Sequence, residues 1–244
     1  MFRLPPLPPF TKASLIAFFV CLVLENVALN FLGLNPEVVL ALMLTTGSLG
    51  VENLWQLFTH PFLSMPGPEG LTGFLISGLF YWWMMAPFEA RYGGRRAAQL
   101  ALAVVLGSGL AALIVGSFFT PALIAGFGEI VSGVIAAYAW SLRGRGSLSL
   151  FGVVDLRAEQ LLGLLVAFTF LQFIVAPSAA VLAAGLASIG IGVASMEWMQ
   201  RQGRSKKTPR KRKDSGSRRR RNGLRVIEGE GEGGGESEPP KWLN

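Results

Sequence analysis

Glu129 and Ser132 are the residues whose types and spacing first suggest chemistry, because they stand together in the apolar stretch GFGEIVSG. On a helix they would lie one turn apart, so their side chains could form a hydrogen bond on one face. A serine also needs a general base and an oxyanion hole before it can attack a carbonyl carbon. His60, the single histidine, belongs to a distant segment, FTHPF. Ser132 and His60 are therefore only a fallback nucleophile and base, and we favour an interfacial or loop-folding role for His60.

Metal, redox and phosphate chemistry have little support in the sequence. The chain has one cysteine, Cys21, which lies in an apolar run, and one histidine, so neither an internal disulfide nor a zinc site is expected. The sequence contains no glycine-rich phosphate-binding loop. We expect no metal and no cofactor, and we interpret Cys21 as a small buried hydrophobe.

The elements that must position these residues are membrane spans. Hydrophobic residues make up 51% of the 244 residues, and charged residues only 15%. Crossing a bilayer takes roughly 20 apolar residues. The sequence therefore predicts an all-α integral membrane protein with a membrane domain over residues 12–199. We place six spans in it, at residues 12–33, 71–88, 97–117, 121–141, 158–176 and 178–198.

The distribution of Lys and Arg predicts the orientation of these spans. If the N-terminal segment, residues 1–11, is inside, the inner segments carry every Lys and Arg and the outer segments carry none. Cytoplasmic loops carry such an excess of basic residues. We therefore predict a bacterial plasma (inner) membrane protein with both termini in the cytoplasm. The inner residues before the tail are Arg3, Lys12, Arg91, Arg95, Arg96, Arg143, Arg145 and Arg157.

The segment between the first two spans is too long and too apolar for a simple connector. We expect it to lie in the membrane interface, with Trp55, Phe58 and Phe62 as anchors at headgroup depth, where aromatic side chains are enriched. Its end, MPGPEG, is a turn signal, because proline disfavours helix in the residue before it and glycine is free to turn.

Four stretches, in order, resemble the landmarks of the rhomboid superfamily of intramembrane serine proteases: LWQLFTHPFL, APFEARYGGRR, GFGEIVSGVIAAYAWSLRG and AAGLASIGIG. Trp55 resembles the start of the family's outer loop, although Gln56 stands where the family usually has arginine. Glu89 and Gly93 are similar to the Glu-x-x-x-Gly exit of the second helix. The resemblance implies a six-helix rhomboid-like bundle with an interfacial outer loop after the first helix.

The resemblance also locates the family's catalytic positions in this chain. The nucleophile position falls on Gly128, and the position of the basic histidine falls on Val181 or Leu182. The oxyanion positions fall on Gly73 and Ser77. Loss of the nucleophile or base alone costs a serine protease on the order of 10⁶ in turnover. The resemblance therefore implies a pseudoprotease that binds or regulates transmembrane clients without cleaving them.

Two alternatives from other classes stay open. One is an intramembrane serine-type endopeptidase with a rearranged site that uses Ser132. The other is a membrane anchor whose working part is the C-terminal tail. Reactivity of serine toward a fluorophosphonate probe distinguishes the first alternative, and deletion of the tail distinguishes the second.

Glu129, Ser132 and Trp55 are the residues that we expect to contact a client. If the fourth span begins near Pro121, Glu129 lies roughly 12 Å along it at 1.5 Å per residue. A carboxylate there costs several kcal/mol unless it is protonated, hydrated or paired. Glu129 either faces a water-filled cavity and binds a polar group of a client helix, or is protonated and hydrogen-bonded to Ser132 or a backbone carbonyl.

Two further features of the spans concern packing. Glu25 and Asn26 form a second polar site in the outer half of the first span, and we expect it to pack against another helix or to be hydrated. Small residues recur at four-residue spacing in the last span, which allows close helix approach. We predict that this seam packs against small residues of the fourth span. The seam consists of Ala180, Ala184, Ser188 and Gly192, and the facing residues are Gly126, Gly133 and Ala137.

The C-terminal tail, residues 200–244, is first polybasic and then acidic, and it lacks apolar periodicity. Such a segment is predicted to be disordered. Each basic residue near an anionic leaflet contributes about 1 kcal/mol of binding. We favour binding to anionic lipid, and nucleic acid is the less favoured polyanion. The basic residues concerned are Lys206, Lys207, Arg210, Lys211, Arg212, Lys213, Arg218, Arg219, Arg220 and Arg221.

Overall fold

A computed structural model describes residues 6–47, 50, 54–64, 68–144, 147–150 and 154–205. Most of these residues are helical. The helices are α1 (Pro9–Asn30), α2 (Pro36–Leu42), α3 (Gln56–Thr59), α4 (Pro68–Tyr92), α5 (Gly94–Phe118), α6 (Gly128–Leu142), α7 (Ala158–Val175) and α8 (Ala179–Ser205). The strands are β1 (Leu44–Thr45), β2 (Leu123–Ile124), β3 (Ser147–Leu150) and β4 (Val154–Arg157), and a 3-10 turn spans His60–Phe62.

Five helices of the described residues are long and apolar enough to cross a membrane: α1, α5 and α7, and most of α4 and α8. Within the apolar windows of α1 and α7 only 17% of the residues are buried, against 44% for α5. Apolar side chains that stay exposed along a whole helix suit contact with lipid rather than water. These helices are compatible with the predicted integral membrane protein.

Helix α6 differs from the predicted fourth span, because it begins at Gly128 and not near Pro121. The residues before it are extended: β2 pairs antiparallel with β1, and Gly126 has a φ of +95°, which favours glycine. The prediction of helix over residues 121–127 is therefore wrong. Their backbone groups instead pair with the outer loop, where Thr46 N donates to Ala122 O at 3.0 Å.

The core of the bundle lies where α5, α6 and α8 pack together. Most side chains of α6 are buried, including Val134 and Ala136. A Cβ on Gly133 would lie 2.5 Å from Val104 Cγ2 of α5 and 3.1 Å from Ser188 O of α8, and a Cβ on Gly192 would collide with Gly133 O. The predicted small-residue seam between the fourth and last spans is confirmed at these positions.

Glu89 ties the end of α4 to the start of α1. Its carboxylate accepts from Phe10 N at 2.9 Å, Thr11 N at 2.7 Å and Thr11 Oγ1 at 2.7 Å. The first N–H groups of a helix have no partner within the helix, so Glu89 satisfies two of them from another element. Gly93 follows with a φ of +88°, which turns the chain from α4 into α5. The predicted helix exit at Glu89 and Gly93 thus corresponds to the end of α4.

Two other differences concern the inner segments and the tail. The all-α prediction omits an antiparallel hairpin in which β3 pairs with β4, with Ser147 opposite Arg157. Helix α8 continues to Ser205, beyond the predicted boundary at residue 199. The basic residues from Lys206 onward and the acidic run lie outside the described residues, so the tail predictions stay predictions.

Candidate functional site

A cavity of about 210 Å³ opens between α1, the start of α4, the loop after the 3-10 turn and the segment that leads into α6. We call it the outer cavity, because it lies at the end of the bundle that carries the loop between α1 and α4. Its lining is mainly aromatic and small. The lining residues are Phe18, Leu22, Pro61, Phe62, Leu63, Ser64, Gly70, Gly73, Phe74, Ser77, Ala125, Gly126, Phe127 and Gly128.

Three positions predicted from the rhomboid resemblance meet at this cavity. Gly73 and Ser77 lie one turn apart on α4, and Gly128 is the first residue of α6. A Cβ on Gly73 or on Gly128 would meet no atom within 4 Å. A larger side chain at either position would therefore extend into the empty volume of the cavity.

The position of the family's base does not join this group. Val181 and Leu182 lie in the first turns of α8 and are half-buried. Val181 packs against a separate apolar cluster that contains Leu44 and Leu57. Neither side chain can take a proton, and neither is among the described residues that line the outer cavity.

Glu129 and Ser132 lie near the start of α6, half-buried, and are not among the described lining residues of the outer cavity. The estimate that Glu129 lies roughly 12 Å along a helix is wrong, because it is the second residue of α6. Its carboxylate accepts from its own backbone N–H, and no hydrogen bond joins it to Ser132 in the described part of the chain. The partial positive charge at a helix N-terminus stabilises a carboxylate by about 0.3–1 kcal/mol, which offsets only part of the cost of burying it.

His60 is a structural residue of the outer loop. It is 1% exposed, its Nδ1 lies 2.9 Å from Gln56 O, and its own carbonyl accepts from Gly126 N at 2.9 Å. A Cβ on Gly109 of α5 would lie 3.6 Å from His60 Cε1. Burial lowers the pKa of the His60 imidazole below its ordinary value of 6.5. None of its described contacts is with Ser132, so the geometry supports the loop-folding role.

Gln56 occupies the position where the family usually has arginine, and it also holds the outer loop. Its side chain is buried, accepts from Thr45 N at 3.0 Å and donates to Ala41 O at 3.0 Å. The neighbouring Trp55 also donates to Ala41 O, at 3.3 Å, and half of its surface is exposed. Its anchoring role at headgroup depth stays a prediction, and Trp55 is not among the described residues that line the cavity.

Glu25 makes a contact at the edge of the cavity that the sequence indicated only as a polar site. Ser64, a lining residue, donates to Glu25 Oε2 from its N at 2.9 Å and from its Oγ at 3.1 Å. The other carboxylate oxygen, Oε1, is buried and has no hydrogen-bond partner among the described residues. Asn26 bonds to its own helix instead, at Leu22 O. The contact of Glu25 is therefore with the outer loop rather than with another helix.

The outer cavity can bind but lacks the parts for acyl transfer. Ser64 and Ser77 are the only described lining residues with a polar side chain. Ser64 donates to the carboxylate of Glu25, and no hydrogen bond joins either serine to His60 in the described part of the chain. No protein-family model matches the chain, and no curated protein matches it.

Proposed function

We propose that this protein is a rhomboid-like pseudoprotease that binds transmembrane segments of client proteins at the outer cavity without cleaving them. One observation carries the proposal. Gly73, Ser77 and Gly128 were assigned to the family's oxyanion and nucleophile positions from sequence resemblance, and these separated positions line one cavity. The client-binding role of Glu129, Ser132 and Trp55 is the less direct part of the proposal, because none of the three lines that cavity.

The size and lining of the cavity favour a protein segment over a small molecule. Small-molecule sites have volumes of roughly 300–1,000 Å³, and the outer cavity has about 210 Å³. Phe18, Phe74 and Phe127 offer apolar surface, and the two glycines leave room for a few incoming side chains. A client helix that places one or two side chains in the cavity would make closer packing contacts with its lining than lipid chains would make.

The proposed topology has six spans, with α6 as the fourth. At 1.5 Å per residue α6 is about 22 Å long, shorter than a hydrocarbon core of about 30 Å. Non-helical backbone at membrane depth is tolerated where protein surrounds it, and α6 is the most enclosed helix of the bundle. The contact of Glu89 with Thr11 brings Lys12 and Arg91 to the same end, which supports the prediction that both termini are cytoplasmic.

Absence of proteolysis is tested with purified protein in bilayers, beside an active rhomboid and a generic rhomboid substrate. A fluorophosphonate probe for reactive serine is applied in parallel. We expect neither cleavage nor labelling. Cleavage or labelling that disappears in Ser132→Ala would establish the rearranged protease instead, and His60→Ala would then test the base.

Client binding is tested by replacing Phe74 with the photo-crosslinking residue benzoylphenylalanine in the full chain in living cells. Phe168 of α7, which is 55% exposed to the lipid side, is the matched control position. We expect ultraviolet light to form adducts with a defined set of membrane proteins from position 74 and not from position 168. The same adducts from both positions would contradict a client site at the cavity.

A further inference from the structure

A second groove lies at the opposite end of the bundle, between the start of α5 and the end of α8. Its volume is about 350 Å³, larger than that of the outer cavity. We call it the inner groove, because α5 begins and α8 ends at the side that carries Arg91 and Arg95. It is lined by Gln99, Ala103, Ala194, Ser195, Trp198 and Met199.

The inner groove presents hydrogen-bond donors next to apolar surface. Gln99 has an amide NH₂, Ser195 a hydroxyl and Trp198 an indole N–H. None of these side chains forms a hydrogen bond within the described part of the chain, and Trp198 is 53% exposed. Tryptophan is enriched at membrane interfaces, where one end of the ring is apolar and the other is wet. The groove therefore combines donors and lipid-compatible surface at the depth of a headgroup.

Positive charge adjoins this groove in two arginines, Arg95 and Arg96, that form no ion pair among the described residues. Arg95 and Arg96 precede Gln99 by one helical turn, so they lie toward the same face of α5. The first turn of α5 contains no acidic residue, and neither arginine forms an ion pair among the described residues. The carboxylate of Glu89 lies beside Gly94 at the start of α5, but it accepts from three donors of Phe10 and Thr11 and does not pair with either arginine.

The α8 side of the groove adds no net negative charge. Glu197 precedes Trp198, but its carboxylate Oε1 lies 2.7 Å from Arg201 NH2. The charge of Glu197 is thus offset by Arg201 of its own helix, whereas Arg95 and Arg96 have no such partner among the described residues. An anionic ligand is favoured there over a neutral or cationic one.

We propose that the inner groove binds one anionic phospholipid, with its phosphate near Arg95 and Gln99 and an acyl chain along Ala103 and Ala194. The two alanines are small and give the groove an apolar part against which a lipid chain can pack. Guanidinium, amide, hydroxyl and indole donors together suit the several acceptor oxygens of a phosphate and glycerol headgroup. None of the residues that line the inner groove lines the outer cavity, so the proposal does not depend on client binding.

The test uses the full chain and native mass spectrometry after exchange into mixed phosphatidylglycerol and phosphatidylcholine. We expect one retained phosphatidylglycerol in preference to phosphatidylcholine. Arg95→Gln and Gln99→Leu should each reduce that preference about tenfold. Arg143→Gln is the matched control, because Arg143 is an exposed inner arginine that stacks on Trp140 instead. Equal retention of the two lipids, or equal loss in the control, would overturn the proposal.

A second measurement separates the groove from the tail. In a full-length variant the ten basic residues between Lys206 and Arg221 named above are changed to Gln. We expect this variant to keep the retained phosphatidylglycerol, and loss of the lipid in it alone would assign binding to the tail. Brominated phosphatidylglycerol should quench a fluorescence component that is absent in Trp198→Phe. Quenching that is the same with and without Trp198 would contradict a lipid in the groove, even if Arg95→Gln fails to fold.

Discussion

Helix α1 is held at both ends by a buried carboxylate, and the two contacts differ in how completely they are satisfied. At the inner end both oxygens of Glu89 accept, from three donors of Phe10 and Thr11. At the outer end Oε2 of Glu25 accepts from two donors of Ser64, and Oε1 has no partner in the part of the chain that the structure describes. Both residues are almost fully buried, at 4% and 6% exposure.

The difference indicates which end of the bundle can rearrange. A fully satisfied buried carboxylate is costly to disturb, whereas a half-satisfied one gives back part of its desolvation cost when it gains access to water or to a new donor. The half-satisfied contact joins α1 to a residue that lines the outer cavity. We expect the inner end to stay fixed and the outer end to open between α1 and the loop when a client binds.

The largest loss of stability is expected when the inner contact, that of Glu89 with Phe10 and Thr11, is removed. Glu89→Ala leaves three donors without an acceptor, two of them buried, and each buried donor so left costs about 1–3 kcal/mol. We expect the free energy of unfolding in detergent to fall by about 3 kcal/mol or more. Glu89→Gln keeps one acceptor oxygen and should lose less. A change below about 1 kcal/mol in Glu89→Ala would show that the inner contact is not the stronger one.

The next largest effect is a loss of stability around His60, at the outer end, when the pH falls. Burial lowers the pKa of His60 below 6.5, so the unfolded state binds more protons below that pH. The contribution of neutral His60 to the free energy of unfolding is fully present above pH 6.5. It is lost as the pH falls toward the lowered pKa, by at most about 1.4 kcal/mol per pH unit.

Hydrogen exchange of the loop around His60, followed from pH 7 to pH 5, measures this loss after correction for the intrinsic pH dependence of exchange. His60→Gln should flatten the dependence of this corrected exchange rate on pH. Exchange of the Thr11 amide, at the other end of α1, serves as the internal reference. An equal acid response in the variant would place the titrating group elsewhere.

The smallest loss of stability is expected when the outer contact, that of Glu25 with Ser64, is removed. Glu25→Leu removes the acceptor of Ser64 but also removes the unpaired Oε1, so the net loss of stability should be only about 1 kcal/mol. Exchange of the Ser64 amide should rise about fivefold, while that of Thr11 should not change. Glu25→Gln keeps an acceptor for Ser64 and is the conservative control. Equal acceleration at both amides would mean that the two ends of α1 are not independent.

The sequence predicted the apolar helices well because each is a long, uninterrupted hydrophobic run. It failed at residues 121–127, which are just as apolar but pair with the outer loop through β1 and β2. Hydropathy measures transfer to an apolar environment and cannot tell helix from extended backbone when both are buried. Pro121 and Gly126 were the available signals for a break.

The candidate site was predictable in part. Gly73, Ser77 and Gly128 were predicted as site positions from the motif resemblance. Such a resemblance assigns positions along each helix, and the helices that carry these three residues pack side by side. Phe18, Leu22 and the contact of Glu25 with Ser64 could not be predicted, because they depend on how α1 and the outer loop approach each other in space. Glu129 drew attention through its charge, yet its place in the first turn of α6 follows from where the helix starts.

The central claim is that clients occupy the outer cavity, and filling the cavity tests it most directly. A Cβ on Gly128 meets no atom within 4 Å, and the same holds for Gly163 on α7, which is outside the cavity. Both positions therefore have free space around an added Cβ, which makes them a matched pair for substitution by leucine. The measurement is the yield of client adduct from benzoylphenylalanine at position 74 in Gly128→Leu and in Gly163→Leu.

The account predicts that Gly128→Leu lowers the adduct yield about tenfold, equivalent to about 1.4 kcal/mol of lost binding, and that Gly163→Leu leaves it unchanged. Adduct yields that are equal in the two folded variants would contradict client binding at the outer cavity.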